Sequence, residues 1–172
     1  MKVSSFDIFD TCLIRKCGTP ELLADVLSLR AFKGKVDEMV RQEFVAARLM
    51  TERSIHQAST TLEDIWRTFS WEHPMLKSKH ELLHLELETE HEMLMPVLSV
   101  LNKVNACRKK GHRILFVSDM YLSSEFIKEV LVLHGFFQQG DGLYVSCECN
   151  AEKRDGSLFE LIKRKESLNY RQ

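Results

Sequence analysis

The segment FDIFDT, residues 6–11, decides our interpretation of the fold. With Val3 it forms a short apolar stretch that ends in the carboxylate of Asp7, and the hydroxyl of Thr11 follows four residues later. An aspartate that ends a parallel strand lies at the carboxyl edge of the sheet, where open α/β folds bind their ligands. Alone, the pattern is weak, because aspartate at a strand end more often forms a turn or caps a helix.

Two later segments supply complementary chemistry. RILFVSDM, residues 113–120, contains a short continuous apolar run of the kind that forms a buried parallel strand, with Ser118 and Asp119 at its carboxyl end. KRDGSLF, residues 153–159, places Lys153 in a polar turn before an apolar helix start. A carboxylate, a hydroxyl and an ammonium group are needed to attack a phosphoryl or similar electrophile, hold its oxygens and neutralise its charge.

In this order, the three segments resemble motifs one, two and three of the haloacid dehalogenase superfamily, and the resemblance extends over nearly the whole chain. It implies that Asp7 is a catalytic nucleophile and Lys153 a catalytic lysine. It also implies that Thr11, Ser118 and Asp119 bind the substrate, which we expect to be a small phosphorylated molecule. A Mg²⁺ ion is implied as cofactor, held by Asp7 and by the backbone carbonyl of Phe9.

Two departures from the superfamily pattern affect the expected activity. Phosphatases of the superfamily carry a second aspartate two residues after the nucleophile as general acid and base, but this chain has Phe9 there. Loss of a general acid typically costs about 10²–10⁴-fold in rate. Relatives also place a fourth, acidic motif on a strand beyond the motif-three lysine, whereas this sequence ends at Gln172. We interpret residues 168–172 as the approach to that strand, so the Mg²⁺ site is expected to be weak or incomplete.

The predicted fold class is α/β, with a Rossmann-like parallel-sheet core in which three strands are visible and the C-terminal strand is missing. Residues 1–16 and 96–172 are predicted to form this core. Residues 17–95 contain helical apolar stripes and helix starts such as Thr19-Pro20, with no strand-like alternation. In the resemblance, this all-helical insert between motifs one and two is a cap subdomain that selects the substrate.

A histidine-rich face on the predicted helix from Lys77 to Leu94 permits two interpretations. His80, His84, Glu88 and His91 lie at helical spacing, and such residues can bind a metal ion. We favour a solvated face, because four glutamates surround these residues. The glutamates are Glu81, Glu86, Glu90 and Glu92.

Composition excludes several classes of function. The net charge is −1 and no basic face emerges, which argues against a nucleic-acid partner. No apolar run is long enough to span a bilayer, so no membrane partner is predicted. The five cysteines have no framework spacing, which fits a reducing compartment, and we predict a cytoplasmic protein.

Three functional hypotheses follow. The first is a phosphohydrolase that acts on a small phosphorylated metabolite through an aspartyl intermediate at Asp7. The second is a binding or accessory domain without turnover, or a fragment of a larger protein. The third is a metal-independent dehalogenase-type hydrolase, suggested by the aromatic Phe9. The missing strand also predicts self-association through the open side of the Val3–Phe6 strand, because unpaired strand edges recruit other chains.

Overall fold

The computed structural model describes residues 2–167, so the segment 168–172 that we interpret as the approach to a fourth motif lies outside the described residues. The strands are β1 (Val3–Asp7), β2 (Leu13–Arg15), β3 (Leu94–Pro96), β4 (Arg113–Ser118) and β5 (Gly142–Val145). The helices are α1 (Pro20–Phe32), α2 (Glu38–Ile55), α3 (Leu62–Thr68), α4 (Lys79–Met93), α5 (Leu98–Lys109), α6 (Ser124–Leu133), α7 (Ser146–Cys149) and α8 (Ser157–Lys165).

The described residues form two compact units. The first contains residues 2–12, 57–61 and 96–167, and the second contains residues 13–56 and 62–95. The role of the helical segment as a substrate-selecting cap stays a prediction. Within the described part of the chain, no helix has both the length and the apolar character needed to cross a bilayer.

A parallel three-stranded sheet with the order β1-β4-β5 organises the first unit. Its central strand, β4, is buried from Ile114 to Ser118, as expected for an apolar strand in a parallel sheet. One group of its side chains, Leu115 and Val117, packs with Leu158 and Ile162 of α8, which lie one helical turn apart. The predicted α/β class with a Rossmann-like parallel core and helical elements is confirmed.

The second unit combines four helices with a two-stranded sheet of β2 and β3. Its apolar centre is aromatic: the Phe44 ring lies 5.6 Å from that of Phe32, 5.7 Å from that of Phe69 and 6.3 Å from that of Trp66. Thr19 caps α1 by accepting a hydrogen bond from the Leu22 backbone N–H. The helical character predicted from capping signals and apolar stripes is therefore built around a single aromatic cluster.

Helix α4 also buries charge, and here the sequence interpretation is wrong for two residues. Glu86 is 3% exposed and Glu90 is completely buried, whereas the sequence pattern predicts that both surround a solvated face. The Arg48 guanidinium lies 2.6 Å from Glu86, and the Arg15 guanidinium lies 2.7 Å from Glu90. A buried carboxylate is tolerated when a hydrogen-bonded cation compensates it, and here the cations come from distant parts of the chain.

Candidate active site

An ion pair joins the first and third sequence motifs. The Lys153 Nζ atom donates a hydrogen bond of 2.7 Å to Asp7 Oδ1, although the two residues are 146 positions apart. The same Oδ1 atom accepts a second hydrogen bond, of 2.8 Å, from the Ile8 backbone N–H. The Asp7 side chain is 45% exposed and that of Lys153 is 25% exposed. Both groups therefore remain accessible to a small molecule from solvent.

The register of the parallel sheet explains why Asp7 lies at its carboxyl edge. Asp7 is the last residue of β1 and pairs with Val117 of β4. It therefore lies next to the end of β4, where Ser118 is the last residue. The chain then turns sharply, and the Cys12 backbone N–H donates a 2.8 Å hydrogen bond to the Ile8 carbonyl. Asp10 adopts a φ of 57° in this turn, which is a left-handed conformation that aspartate tolerates better than most residues.

Asp119 holds the backbone of the lysine. Its two carboxylate oxygens accept hydrogen bonds of 2.9 and 3.0 Å from the Lys153 backbone N–H. The sequence motif indicates a substrate-binding residue at this position, and that role stays a prediction. A positioning role was not anticipated, because the only local signal is that Asp119 directly follows Ser118. The contact nevertheless joins the second motif to the third.

A side-chain cap reinforces the turn that carries Lys153. The Ser157 backbone N–H donates a 2.9 Å hydrogen bond to Asp155 Oδ1, and the Glu152 backbone N–H donates one of 2.9 Å to Ser157 Oγ. The Ser157 hydroxyl and backbone N–H lower the pKa of the Asp155 carboxyl. Gly156 has a φ of 82°, a conformation that a side chain would strain. Lys153 is therefore presented by a turn that is ordered on both sides.

The remaining predicted site residues lie at the end of β4 and in the turn after β1. Ser118 ends β4 and is buried, and Thr11 is half-buried in the turn after β1. Phe9 is half-buried in that turn and offers no side-chain proton donor where superfamily phosphatases have an aspartate. The contribution of the two hydroxyls to substrate binding stays a prediction.

Cys12 is the cysteine nearest to Asp7 in the sequence. It is completely buried, and burial, assisted by the negative charge of Asp7, raises the pKa of its thiol to about 12. A thiolate, and not a thiol, is the attacking form of cysteine. Asp7 is therefore the better candidate nucleophile in this turn.

The donor atoms near Asp7 fit a resident Mg²⁺ ion poorly. Among residues 2–167, no group of three or more histidine, cysteine, aspartate or glutamate side chains could hold a metal ion. One Asp7 oxygen already accepts two N–H groups, and the Asp119 carboxylate is bound to the Lys153 backbone. Mg²⁺ requires near-octahedral oxygen coordination, so the Asp7 carboxylate and the Phe9 carbonyl supply only a minority of its ligands.

Comparison with known proteins supports the fold. No family model matches the chain, and no curated protein matches it in sequence. A crystal structure of a dehalogenase is similar in fold, with a TM-score of 0.58 and 12% sequence identity over 98% of this chain and 73% of that chain. At this identity the likeness shows the α/β fold alone. It is consistent with a haloacid dehalogenase-like fold, and membership of the superfamily stays a prediction.

Proposed function

We propose that the chain is a hydrolase in which the Asp7 carboxylate attacks the substrate and Lys153 assists it. The observation that carries this proposal is the 2.7 Å contact between Lys153 Nζ and Asp7 Oδ1. A partly exposed ion pair typically adds only about 0.2–1 kcal/mol to stability, so folding alone gives little reason to build one on two ordered turns. The ammonium group is placed to attract an anionic substrate to the carboxylate that attacks it.

The proposed substrate is a small phosphorylated metabolite. An Asp7 oxygen forms a bond to phosphorus while the bond from phosphorus to the leaving-group oxygen breaks, and that oxygen departs with the electron pair. Lys153, Thr11 and Ser118 hold the phosphoryl oxygens as negative charge develops on them. Water then attacks phosphorus, gives its proton to solvent or to a base yet to be identified, and releases phosphate from Asp7.

Phe9 restricts the leaving group in this scheme. Its ring cannot donate a proton to a departing alkoxide, and removal of a general acid typically costs about 10²–10⁴-fold in rate. Acyl phosphates and phosphoric anhydrides release oxygens that are stable without a proton, so they suit the site better than alkyl phosphate esters. We therefore expect low turnover with ordinary phosphate esters.

A Mg²⁺ ion would be held weakly, by the Asp7 carboxylate and the Phe9 carbonyl with the substrate phosphate. When bound, it would neutralise charge on the phosphoryl oxygens. The donor set described above makes this site incomplete, and the chemistry assigned to Asp7 and Lys153 does not depend on the ion.

Hydrolysis of acetyl phosphate, compared with glycerol phosphate, tests the proposal. Wild-type protein should release phosphate faster from the acyl phosphate, and mass spectrometry should find a phosphoryl group on the peptide that contains Asp7. Asp7→Asn and Lys153→Ala should lose both signals. Lys103→Ala, which changes an exposed lysine on α5, is the matched control and should keep them. Full activity in Asp7→Asn would refute the assigned nucleophile.

A dehalogenase-type hydrolase is the second candidate, favoured by Phe9 and in agreement with the dehalogenase that shares the fold. In this reaction an Asp7 oxygen bonds to carbon, the carbon–halogen bond breaks, and halide leaves without needing a proton. Water then hydrolyses the resulting ester. Halide release from 2-chloropropionate in the presence of EDTA would distinguish this reaction, and failure of both assays would favour a binding module without turnover.

A further inference from the structure

Helix α4 carries a pair of histidines that take no part in the proposed hydrolase reaction. His80 and His84 are exposed and lie one turn apart. Their Nε2 atoms are 3.1 Å apart, and the ring centroids are 4.4 Å apart with an interplanar angle of 71°. The same helix turns Glu86 and Glu90 inward, so the histidine face and the buried carboxylate face are separate.

The spacing of the two nitrogens matches that of two ligands on one metal ion. Imidazole nitrogens bind Zn²⁺ at about 2.0–2.1 Å, so two of them lie about 2.8–3.4 Å apart when the angle at the metal is about 90–109°. The observed 3.1 Å falls inside this interval. At this distance the two rings are within hydrogen-bond reach of each other, and a divalent cation between them would coordinate both nitrogens.

The ligand type selects the class of ion. Imidazole suits Zn²⁺, Ni²⁺ and Cu²⁺, whereas Mg²⁺ prefers oxygen ligands. Within the described residues, no third histidine, cysteine, aspartate or glutamate completes a larger group. The neighbouring Glu81 carboxylate accepts hydrogen bonds from the Ser78 backbone N–H and hydroxyl as part of the capping box of α4. The remaining coordination positions would therefore face solvent.

We propose that His80 and His84 form a two-histidine surface site for a borderline divalent cation, with Zn²⁺, Ni²⁺ and Cu²⁺ as the class of ligand. A bound ion would stabilise the first two turns of α4, the helix that supplies Glu86 and Glu90 to the buried ion pairs. This site is independent of the proposed hydrolase function, because it uses neither Asp7 nor Lys153 and takes a different class of metal.

Isothermal titration calorimetry with Zn²⁺ tests the proposal, with Mg²⁺ as the control ion. Loss of even an outer partner of a metal ligand typically lowers metal affinity about 10–100-fold, so His80→Ala and His84→Ala should each lower Zn²⁺ affinity by at least about 10-fold. His91→Ala is the matched control on the same helix and should bind like wild type. Mg²⁺ should give no heat that depends on His80 or His84.

Thermal unfolding supplies a second readout. Because binding to the folded state alone raises stability, Zn²⁺ should raise the Tm of wild type and of His91→Ala, and should leave the Tm of the His80→Ala/His84→Ala double variant unchanged. Equal Tm values of wild type and the double variant without metal would show that the two exposed substitutions leave the fold intact. The proposal is overturned if wild type does not bind Zn²⁺, or if the double variant binds it as tightly, which would assign the ion to other residues.

Discussion

The two units of this protein use the same kind of ion pair in opposite surroundings. In the first unit, Lys153 and Asp7 are 2.7 Å apart with side chains 25% and 45% exposed. In the second, Arg15 and Glu90 are also 2.7 Å apart, but their side chains are 3% and 0% exposed. Distance is therefore a poor guide to the role of a charge pair, and access of solvent separates a pair that can meet a substrate from one that cannot.

The largest effect on stability is expected when a buried ion pair is broken. Glu86 Oε2 accepts 3.0 Å hydrogen bonds from both Arg48 Nε and Trp66 Nε1, and the Arg48 guanidinium lies over the Trp66 ring. Removal of one partner leaves an uncompensated buried charge, which typically costs about 3–5 kcal/mol. We expect Arg48→Ala to lower the free energy of unfolding by this amount in urea denaturation.

The double variant Arg48→Met/Glu86→Gln is the control for this prediction. It removes both charges and keeps an amide oxygen for the Trp66 N–H, so it should be more stable than Arg48→Ala. If Arg48→Ala were as stable as wild type, the buried pair would contribute nothing to stability, and burial would not distinguish the ion pairs of the two units.

A half-buried pair should give an intermediate effect that depends on pH. Arg113 contacts Glu166 at 2.9 Å, with side chains 25% and 10% exposed, and this hydrogen bond lowers the pKa of the Glu166 carboxyl. A carboxyl whose pKa is lower in the folded state stabilises the protein above its unfolded pKa, and this contribution is lost as the pH falls through the folded pKa. The pair should therefore stabilise the protein at neutral pH and cease to do so in acid.

Glu166→Gln tests this dependence by urea denaturation between neutral pH and acid. We expect the wild-type protein to be more stable at neutral pH, and the difference between the two proteins to shrink as the pH falls below the ordinary range for glutamate. The expected difference at neutral pH is about 1.5–3 kcal/mol, as for a hydrogen bond to a charged group. A difference that is independent of pH would mean that Glu166 acts through packing alone.

The sequence could predict the sheet and the neighbourhood of Asp7 better than the charges of α4. The apolar run before Ser118, and Val3 and Phe6 before Asp7, indicate parallel strands. Because the carboxyl ends of parallel strands share one edge of the sheet, local patterns suffice there. Glu86 and Glu90 resemble solvated helix residues because their partners, Arg48 and Arg15, lie 38 and 75 positions away. The residue pattern along one helix cannot show which of its carboxylates will pair with an arginine from a distant part of the chain.

The left-handed conformation of Asp10 and the hydrogen bond from the Lys153 backbone to Asp119 could not be predicted from the sequence, because no residue pattern in the chain indicates either one. Self-association through β1 stays a prediction. Among the described residues, β1 pairs only with β4, and light scattering would test whether its other side recruits a second chain.

The Asp119 contact should matter less to stability than the half-buried pair. Asp119 is exposed, so Asp119→Ala should cost about 0.5–1.5 kcal/mol, the usual net value of one hydrogen bond. Its specific effect should be local: amide hydrogen exchange at Lys153 should accelerate, while exchange at Val117 in the central strand should not change. Unchanged exchange at Lys153 would show that the turn is held by Asp155 and Ser157 without Asp119.

The smallest effect on stability is expected at the candidate active site itself. Lys153→Ala should change the free energy of unfolding by less than about 1 kcal/mol, because solvent screens this exposed pair. Added salt should shrink that difference, since the Debye length falls from about 10 Å at 0.1 M to about 3 Å at 1 M, whereas the cost of Arg48→Ala should persist. Urea denaturation at low and high ionic strength measures both. If Lys153→Ala proved as costly as Arg48→Ala and insensitive to salt, the Lys153–Asp7 pair would be a structural element, and the main support for Asp7 as a nucleophile would be lost.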